Sequence, residues 1–345
     1  MDEEITKTPT LNKELATLVK KANQTYLENF DGKVWFGRCI FLSWYCETGT
    51  CKFCFRSTQK HKIKNPSDAR RSLASVLAEA VMIRGFGWRL EFLTGGYGIF
   101  PLKEIAEIAK MCKQVLGEKI WLNLGTMKPK ELEMFKSSTG GIVASIETTN
   151  KKLHAKVCPD KKMQPYVKLL KDSGEMGFKK SMTIIIGLGE SRKDLTELKE
   201  FITKNPLDRI TIYTLRPVAG TDYTNGPSTE DLIWWIAQVR IAFPKLEIIV
   251  GSAKYRIKEI SLILKAGANA FTKLPATNLF NSDKAIEIEN EVKKAGRELV
   301  SKFRMKNVRT IKWNAILENV KNKELRTQVK ETLERYLKKF EKKQK

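Results

Sequence analysis

Trp35-Phe36-Gly37-Arg38-Cys39-Ile40-Phe41-Leu42-Ser43 reads as a β-strand, and it runs directly into Trp44-Tyr45-Cys46-Glu47-Thr48-Gly49-Thr50-Cys51-Lys52-Phe53-Cys54. Aromatic and large apolar residues dominate the first stretch, as they do in strands buried in a sheet. Further β-rich segments follow at 89–94, 120–123, 141–147, 179–186, 209–214, 246–250 and 268–271. Longer helical patterns separate them. Several open on helix-start signals: Asn65-Pro66-Ser67 before 69–83, Ser191 with Asp194 before 195–203, and Ser228 with Asp231 before 232–242. Such alternation predicts parallel βα units, and eight of them over about 250 residues match a closed (β/α)8 barrel. An open doubly wound sheet is the alternative. The expected division is an N-terminal helical extension over 1–34, a barrel over 35–299 and a basic helical extension over 300–345.

With 345 residues, 42% of them hydrophobic, the chain can bury a full-sized core. Its longest apolar runs are too short to span a bilayer, and the start lacks the basic-then-apolar order of a signal peptide, so a cytoplasmic protein is expected. The net charge of +24 raises the question of nucleic acid. Residues 301–345, however, carry fifteen Lys/Arg against five Asp/Glu, so much of the excess is local. Leu325, Val329, Leu333, Tyr336 and Phe340 recur there at helical spacing, which describes an amphipathic helix docking one face while its lysines stay wet. No basic-and-aromatic nucleic-acid module accompanies it, so nucleic acid is not the expected partner.

Six cysteines in a chain of this length do not form a disulfide framework. Cys46, Cys51 and Cys54 crowd into nine residues with C-x4-C-x2-C spacing, at the end of the strand where barrel enzymes keep their chemistry. Three thiolates can hold three irons of a [4Fe–4S] cluster and leave the fourth iron open. A zinc site completed by His61 fits the spacing as well. Cys39, Cys112 and Cys158 stand apart and read as small buried residues. Later strand ends add candidates. Thr94-Gly95-Gly96-Tyr97-Gly98 lets a ligand approach the backbone closely. Ser145 and Glu147 share one strand face, and an inward Glu147 needs a polar or charged partner. Gly187-Leu188-Gly189-Glu190 and Arg216-Pro217 are further turns with a carboxylate and a guanidinium.

These elements, in this order, resemble the biotin-synthase-like branch of the radical S-adenosylmethionine (AdoMet) superfamily over roughly residues 35–271. The resemblance implies iron ligation by Cys46, Cys51 and Cys54, with Phe53 as the aromatic before the third cysteine. It implies that Thr94, Gly95 and Gly96 meet the methionine end of S-adenosyl-L-methionine. Ser145 and Glu147 would contact its ribose or amino group, and Gly187 and Glu190 its adenine side. The implied chemistry is reductive AdoMet cleavage to a 5′-deoxyadenosyl radical that attacks a small-molecule substrate, with ferredoxin or flavodoxin as reductant. Residues that act on the substrate are not identified.

Departures from the family pattern narrow the function. The usual loop is C-x3-C-x2-C, one residue shorter. Tyr255 stands where biotin synthase keeps an arginine for its second cluster, and no inner cysteine set replaces that cluster, which argues against biotin synthesis. Trp44-Tyr45-Cys46 and the 94–98 turn resemble a methanogen group implicated in making the guanylylpyridinol cofactor of the iron-only hydrogenase, whose loop is one residue longer. An amino-acid mutase or lyase of the same branch, and a zinc-stabilised nucleic-acid-binding protein, are the alternatives.

Overall fold

The computed structural model describes residues 7–95 and 98–342. Eight strands, β1 (Lys33–Phe41), β2 (Arg89–Thr94), β3 (Ile120–Asn123), β4 (Thr139–Glu147), β5 (Lys179–Ile186), β6 (Arg209–Thr214), β7 (Glu247–Gly251) and β8 (Ala270–Thr272), pair in parallel in chain order. Pairing of β1 with both β8 and β2 closes the ring, so the barrel rather than the open sheet is the fold. A ninth strand, β9 (Glu298–Leu299), adds to the start of β1 through Lys33 and Val34.

The two-residue period of a strand sorts its side chains onto two faces. In β6, Ile210 and Ile212 are buried in the layer between sheet and helices, and so are Ile248 and Val250 of β7. Tyr213 and Gly251, one residue out of phase, line the barrel interior. Gly37 of β1 faces inward, where a Cβ would come within 3.2 to 3.4 Å of Trp35, Glu91 and Thr272. That crowding is why the position carries no side chain.

Strand limits differ from the sequence reading mainly around the first loop. β1 ends at Phe41, because Ser43 leaves the barrel to bridge antiparallel to Arg70. The helix expected over 69–83 is broken in two. Asn65 caps a short 3-10 turn, Pro66–Ala69, and the helix proper, Leu73–Gly85, starts from Ser72, whose hydroxyl accepts the Ser75 N–H. Ser228 caps Thr229–Ala242 as its motif predicts. Ser191 and Asp194 form a capping box on the Arg192–Asp194 turn that leads into Leu195–Lys204.

On the outside, the helix Lys13–Leu27 packs on Thr229–Ala242, and Lys323–Lys342 packs on Leu73–Gly85. The last helix buries Val329, Leu333, Leu337 and Phe340, with Leu325 and Tyr336 half-buried beside them, while its lysines stay outside. Phe340 packs tilted against Phe280 at 4.8 Å, Phe280 tilted against Phe86 at 4.4 Å, and Phe303 meets Phe36 of β1 edge-on at 5.0 Å. Among the described residues no helix is long and apolar enough to cross a membrane.

Candidate active site

At the carboxyl ends of the strands the barrel opens into a cavity of about 720 Å³. The segment after β1 is anchored before it reaches that cavity. Leu42 N–H donates to the Thr94 carbonyl at 2.6 Å and Trp44 N–H to Ala69 at 3.1 Å, while the Arg56 guanidinium donates to the Ser43 carbonyl at 3.1 Å. Gly49 takes φ +50°, and the Cys54 N–H closes a turn onto the Cys51 carbonyl at 3.1 Å. Cys46, Cys51 and Cys54 are all half-buried and all line the cavity, as does Phe53.

Among the described residues no three His, Cys, Asp or Glu side chains are gathered tightly enough to hold one metal, and His61 sits exposed on a 3-10 turn off the cavity wall. Tetrahedral zinc draws its ligands to about 2.0 to 2.3 Å from one point. A four-iron cluster takes each thiolate on a different iron and needs a spread set. Three thiols lining one cavity are a donor set that a four-iron cluster can take, one thiolate to an iron.

Cys112 is an inert buried thiol, pushed up to about 12 by burial. Cys158 has a contact that spacing does not reveal. It follows the Lys151–Val157 helix, whose Val157 carbonyl accepts the Lys52 N–H at 2.9 Å, and it packs against Cys51. The Cys158 thiol donates to Cys51, which lowers the Cys51 pKa and raises its own. Lys161 adds positive potential at Cys51.

Thr94 and Gly95 line the cavity at the end of β2. The Thr94 hydroxyl donates to the Asn123 carbonyl at 2.7 Å, and a Cβ on Gly95 would lie 3.0 Å from Leu42. Gly96 and Tyr97 lie outside the described residues. On β4, Ser145 donates to Asn123 Oδ1 at 2.9 Å, and Glu147 takes a left-handed φ of +65°. The partner that an inward Glu147 requires is Lys161, whose Nζ donates to Oε1 at 2.5 Å. Desolvation works to lower the Lys161 pKa, but Glu147, Tyr166 and the nearby thiols outweigh it and hold the ammonium above its usual range. Buried His154 fixes this loop by bonding the Ile146 and Lys161 carbonyls at 3.0 and 2.6 Å.

Gly187 and Glu190 are not on the cavity wall. Glu190 turns back on its own loop and accepts the Gly187 and Gly189 N–H groups at 2.6 and 3.2 Å, at glycines with φ +107° and +116°. Burial pushes its carboxyl up, and it borders a separate cleft of about 20 Å³ behind Glu147. Arg216 is exposed at the cavity mouth.

The cavity floor holds groups that the sequence reading missed. Glu91 accepts from the Tyr213 hydroxyl at 2.5 Å, the Cys39 thiol at 2.8 Å and the Thr272 hydroxyl. Lys273, just past β8, lines the cavity beside them.

Residues 44–202 match the family described as the Radical SAM superfamily. An uncharacterized protein of Methanocaldococcus jannaschii is 37% identical, over 94% of this chain and 95% of its own. The biotin synthase of Coxiella burnetii is 24% identical over 84% of this chain and 90% of its own. Among solved structures, a methylornithine synthase shares the fold at a TM-score of 0.68 with 21% identity, covering 84% of this chain and 90% of that one. Barrel, cysteine loop and relatives agree: the chain belongs to the Radical SAM superfamily, within its biotin synthase-like branch.

Proposed function

We propose that Cys46, Cys51 and Cys54 hold the [4Fe–4S] cluster of this radical AdoMet enzyme, and that Phe53, Thr94, Gly95, Gly96, Ser145 and Glu147 surround S-adenosylmethionine. The observation that carries this reading is the meeting of three half-buried thiols, Ser145 and Glu147 on one cavity at the carboxyl end of a closed barrel. Bound there, cluster and AdoMet would supply reductive cleavage of AdoMet and the radical chemistry that follows from it. The chain's own residues prepare the site. Cys158 and Lys161 favour the Cys51 thiolate, the form an iron ligand must take. Lys161 holds the Glu147 carboxylate at the wall, ready to accept from a ribose hydroxyl or an amino group. Closed barrel walls keep water from a reactive intermediate. Gly187 and Glu190 act on the AdoMet side by shaping the β5 turn.

The finer assignment is cofactor biosynthesis, with the guanylylpyridinol cofactor as candidate product and a ferredoxin or flavodoxin as electron donor. Its support is the resemblance of Trp44-Tyr45-Cys46 and the 94–98 turn to the group that makes that cofactor. We assign residues 35–299 to the catalytic barrel, whose first strand starts two residues earlier at Lys33, with 1–34 and 300–345 as its extensions. The test is anaerobic reconstitution with iron and sulfide, then reduction by dithionite with AdoMet. Wild type is expected to release 5′-deoxyadenosine, and the Cys46/Cys51/Cys54 triple alanine variant none. A wild-type protein that takes up zinc, stays colourless and makes no deoxyadenosine overturns the reading.

A further inference from the structure

The residues assigned to cluster and AdoMet come from the loop after β1, from β2 and from β4. The rest of the cavity wall, at the ends of β6, β7 and β8, has no assigned task. We propose that this side binds the substrate, and that it selects an organic acid by its carboxylate, which is met by the Lys273 ammonium and the Ser252 hydroxyl. The proposal rests on the AdoMet reading for the identity of the other half of the cavity.

Lys273 is a cation with unused donors. Its Nζ sits over the rings of Phe41, Phe92 and Tyr213 at 5.1, 5.6 and 4.8 Å, so the charge lies inside the barrel. More than a third of the residue is nonetheless exposed, and what it borders is the cavity. One N–H points at Cys39 Sγ at 3.3 Å, a weak acceptor, and the others meet no acceptor among the described residues. Glu91, the neighbouring carboxylate, is occupied by Tyr213, Cys39 and Thr272 and makes no ion pair with Lys273 among the described residues. Desolvation works against the ammonium, but Cys39 and Glu91 outweigh it, so Lys273 is held protonated. A protonated lysine binds an anion; it does not attack a carbonyl to form an imine. The backbone supports a placed side chain, since Lys273 takes φ +69°, a conformation uncommon for a residue with a Cβ.

Ser252 supplies the independent observation. It is 4% exposed, it lines the same cavity, and its hydroxyl has no hydrogen-bond partner among the described residues. Buried hydroxyls are normally satisfied, so one left open beside a cavity points to a ligand. Its own N–H donates to the Thr272 carbonyl at 3.1 Å, which sets Ser252 next to Lys273. The electrostatics agree. Arg56, Lys161, Arg216 and Lys273 line the cavity against one carboxylate, Glu147, which Lys161 already holds. A single ammonium with one hydroxyl matches a monoanionic carboxylate, and the rings of Phe41, Phe92 and Tyr213 match a planar unsaturated body.

The probe is benzoate, titrated into full-length reconstituted protein with AdoMet and followed by ligand-observed NMR, with benzamide and phenyl phosphate alongside. Benzoate is expected to bind at least tenfold more tightly than either. Lys273→Met should weaken benzoate at least tenfold and leave benzamide unchanged, Lys273→Arg should retain most of the affinity, and Ser252→Ala should lose three- to tenfold. Equal binding of benzoate and benzamide, no binding of benzoate at millimolar concentration, or an unaltered affinity in Lys273→Met overturns the proposal. Tighter binding of phenyl phosphate replaces the carboxylate with a phosphoester and overturns it too. The triple cysteine variant separates the two readings: benzoate binding without deoxyadenosine formation there keeps the acid site, and absent deoxyadenosine in wild type removes the AdoMet reading alone.

Discussion

Strands β8, β1 and β2 present two faces with opposite characters. Outward, Phe36 and Phe271 pack 5.9 Å apart and join Trp88, Phe303, Phe86, Phe280 and Phe340 in a dry aromatic layer. Inward, one residue out of phase, Cys39, Glu91 and Thr272 form a hydrogen-bonded polar floor beneath Lys273. The same backbone thus carries the stability of the barrel on one side and its chemistry on the other. Aromatic layers tolerate no gaps, since the loss of a buried ring leaves a cavity. Polar floors tolerate no unpaired partner, since a stranded donor keeps its desolvation cost. Each face should therefore fail in its own way.

The largest stability loss is expected on the outer face. Phe271→Ala removes a fully buried ring and should cost about 3–5 kcal/mol in urea unfolding. AdoMet cleavage per folded molecule should stay at the wild-type level; a loss of turnover with intact stability would mean that the two faces are not separate. On the inner face, Glu147→Gln strips Lys161 of its counter-charge and AdoMet of a charged acceptor. AdoMet affinity should fall by about ten- to a hundredfold, as expected for a charged hydrogen bond of about 1.5–3 kcal/mol. Equilibrium binding to the reconstituted protein measures it, and an unchanged dissociation constant would remove Glu147 from the site. Thr272→Val keeps the shape of the floor and deletes one donor to Glu91. It should cost about 1–3 kcal/mol, less than the ring, with the aromatic layer unaffected in near-ultraviolet circular dichroism.

Period and spacing made much of this legible. β2, β3, β5 and β6 fall where the apolar patterns put them, because their outward residues must be buried under helices whatever the interior does. The cysteine loop and the Ser145–Glu147 face are local patterns, and local patterns survive in one dimension. What stayed hidden depends on distant partners. Lys161 matters because it reaches Glu147 and Cys51, and Lys273 because the barrel closes β8 against β1. With 63 Lys and Arg in the chain, neither lysine could be singled out by composition. Asn65 caps a shorter turn than the expected helix, and Glu190 faces its own loop and not the large cavity, for a related reason. Each polar side chain found a nearer backbone N–H, Ser67 for Asn65 and Gly187 for Glu190.

The smallest effect tests how the outer face is held in place. Arg309, on the Val308–Thr310 turn, clasps the last helix, donating to both Glu334 oxygens at 2.8 and 2.7 Å and to Glu341 at 2.7 and 3.3 Å. All three side chains are more than a third exposed or close to it, so the clasp is screened by water and adds little beside the buried Phe340. Arg309 holds the Glu341 carboxyl below its usual range, chiefly through their hydrogen bonds. A depressed folded pKa gives stability that is present above the unfolded value of about 4.3 and is lost as pH falls through the folded value. Arg309→Ala should therefore lower Tm slightly at pH 7, less at high salt, and by a shrinking amount as pH falls below about 4.3 and through the folded value. A gap that does not narrow on acidification would mean that Arg309 acts through its packing stem, and the outer face would then be apolar even at its rim.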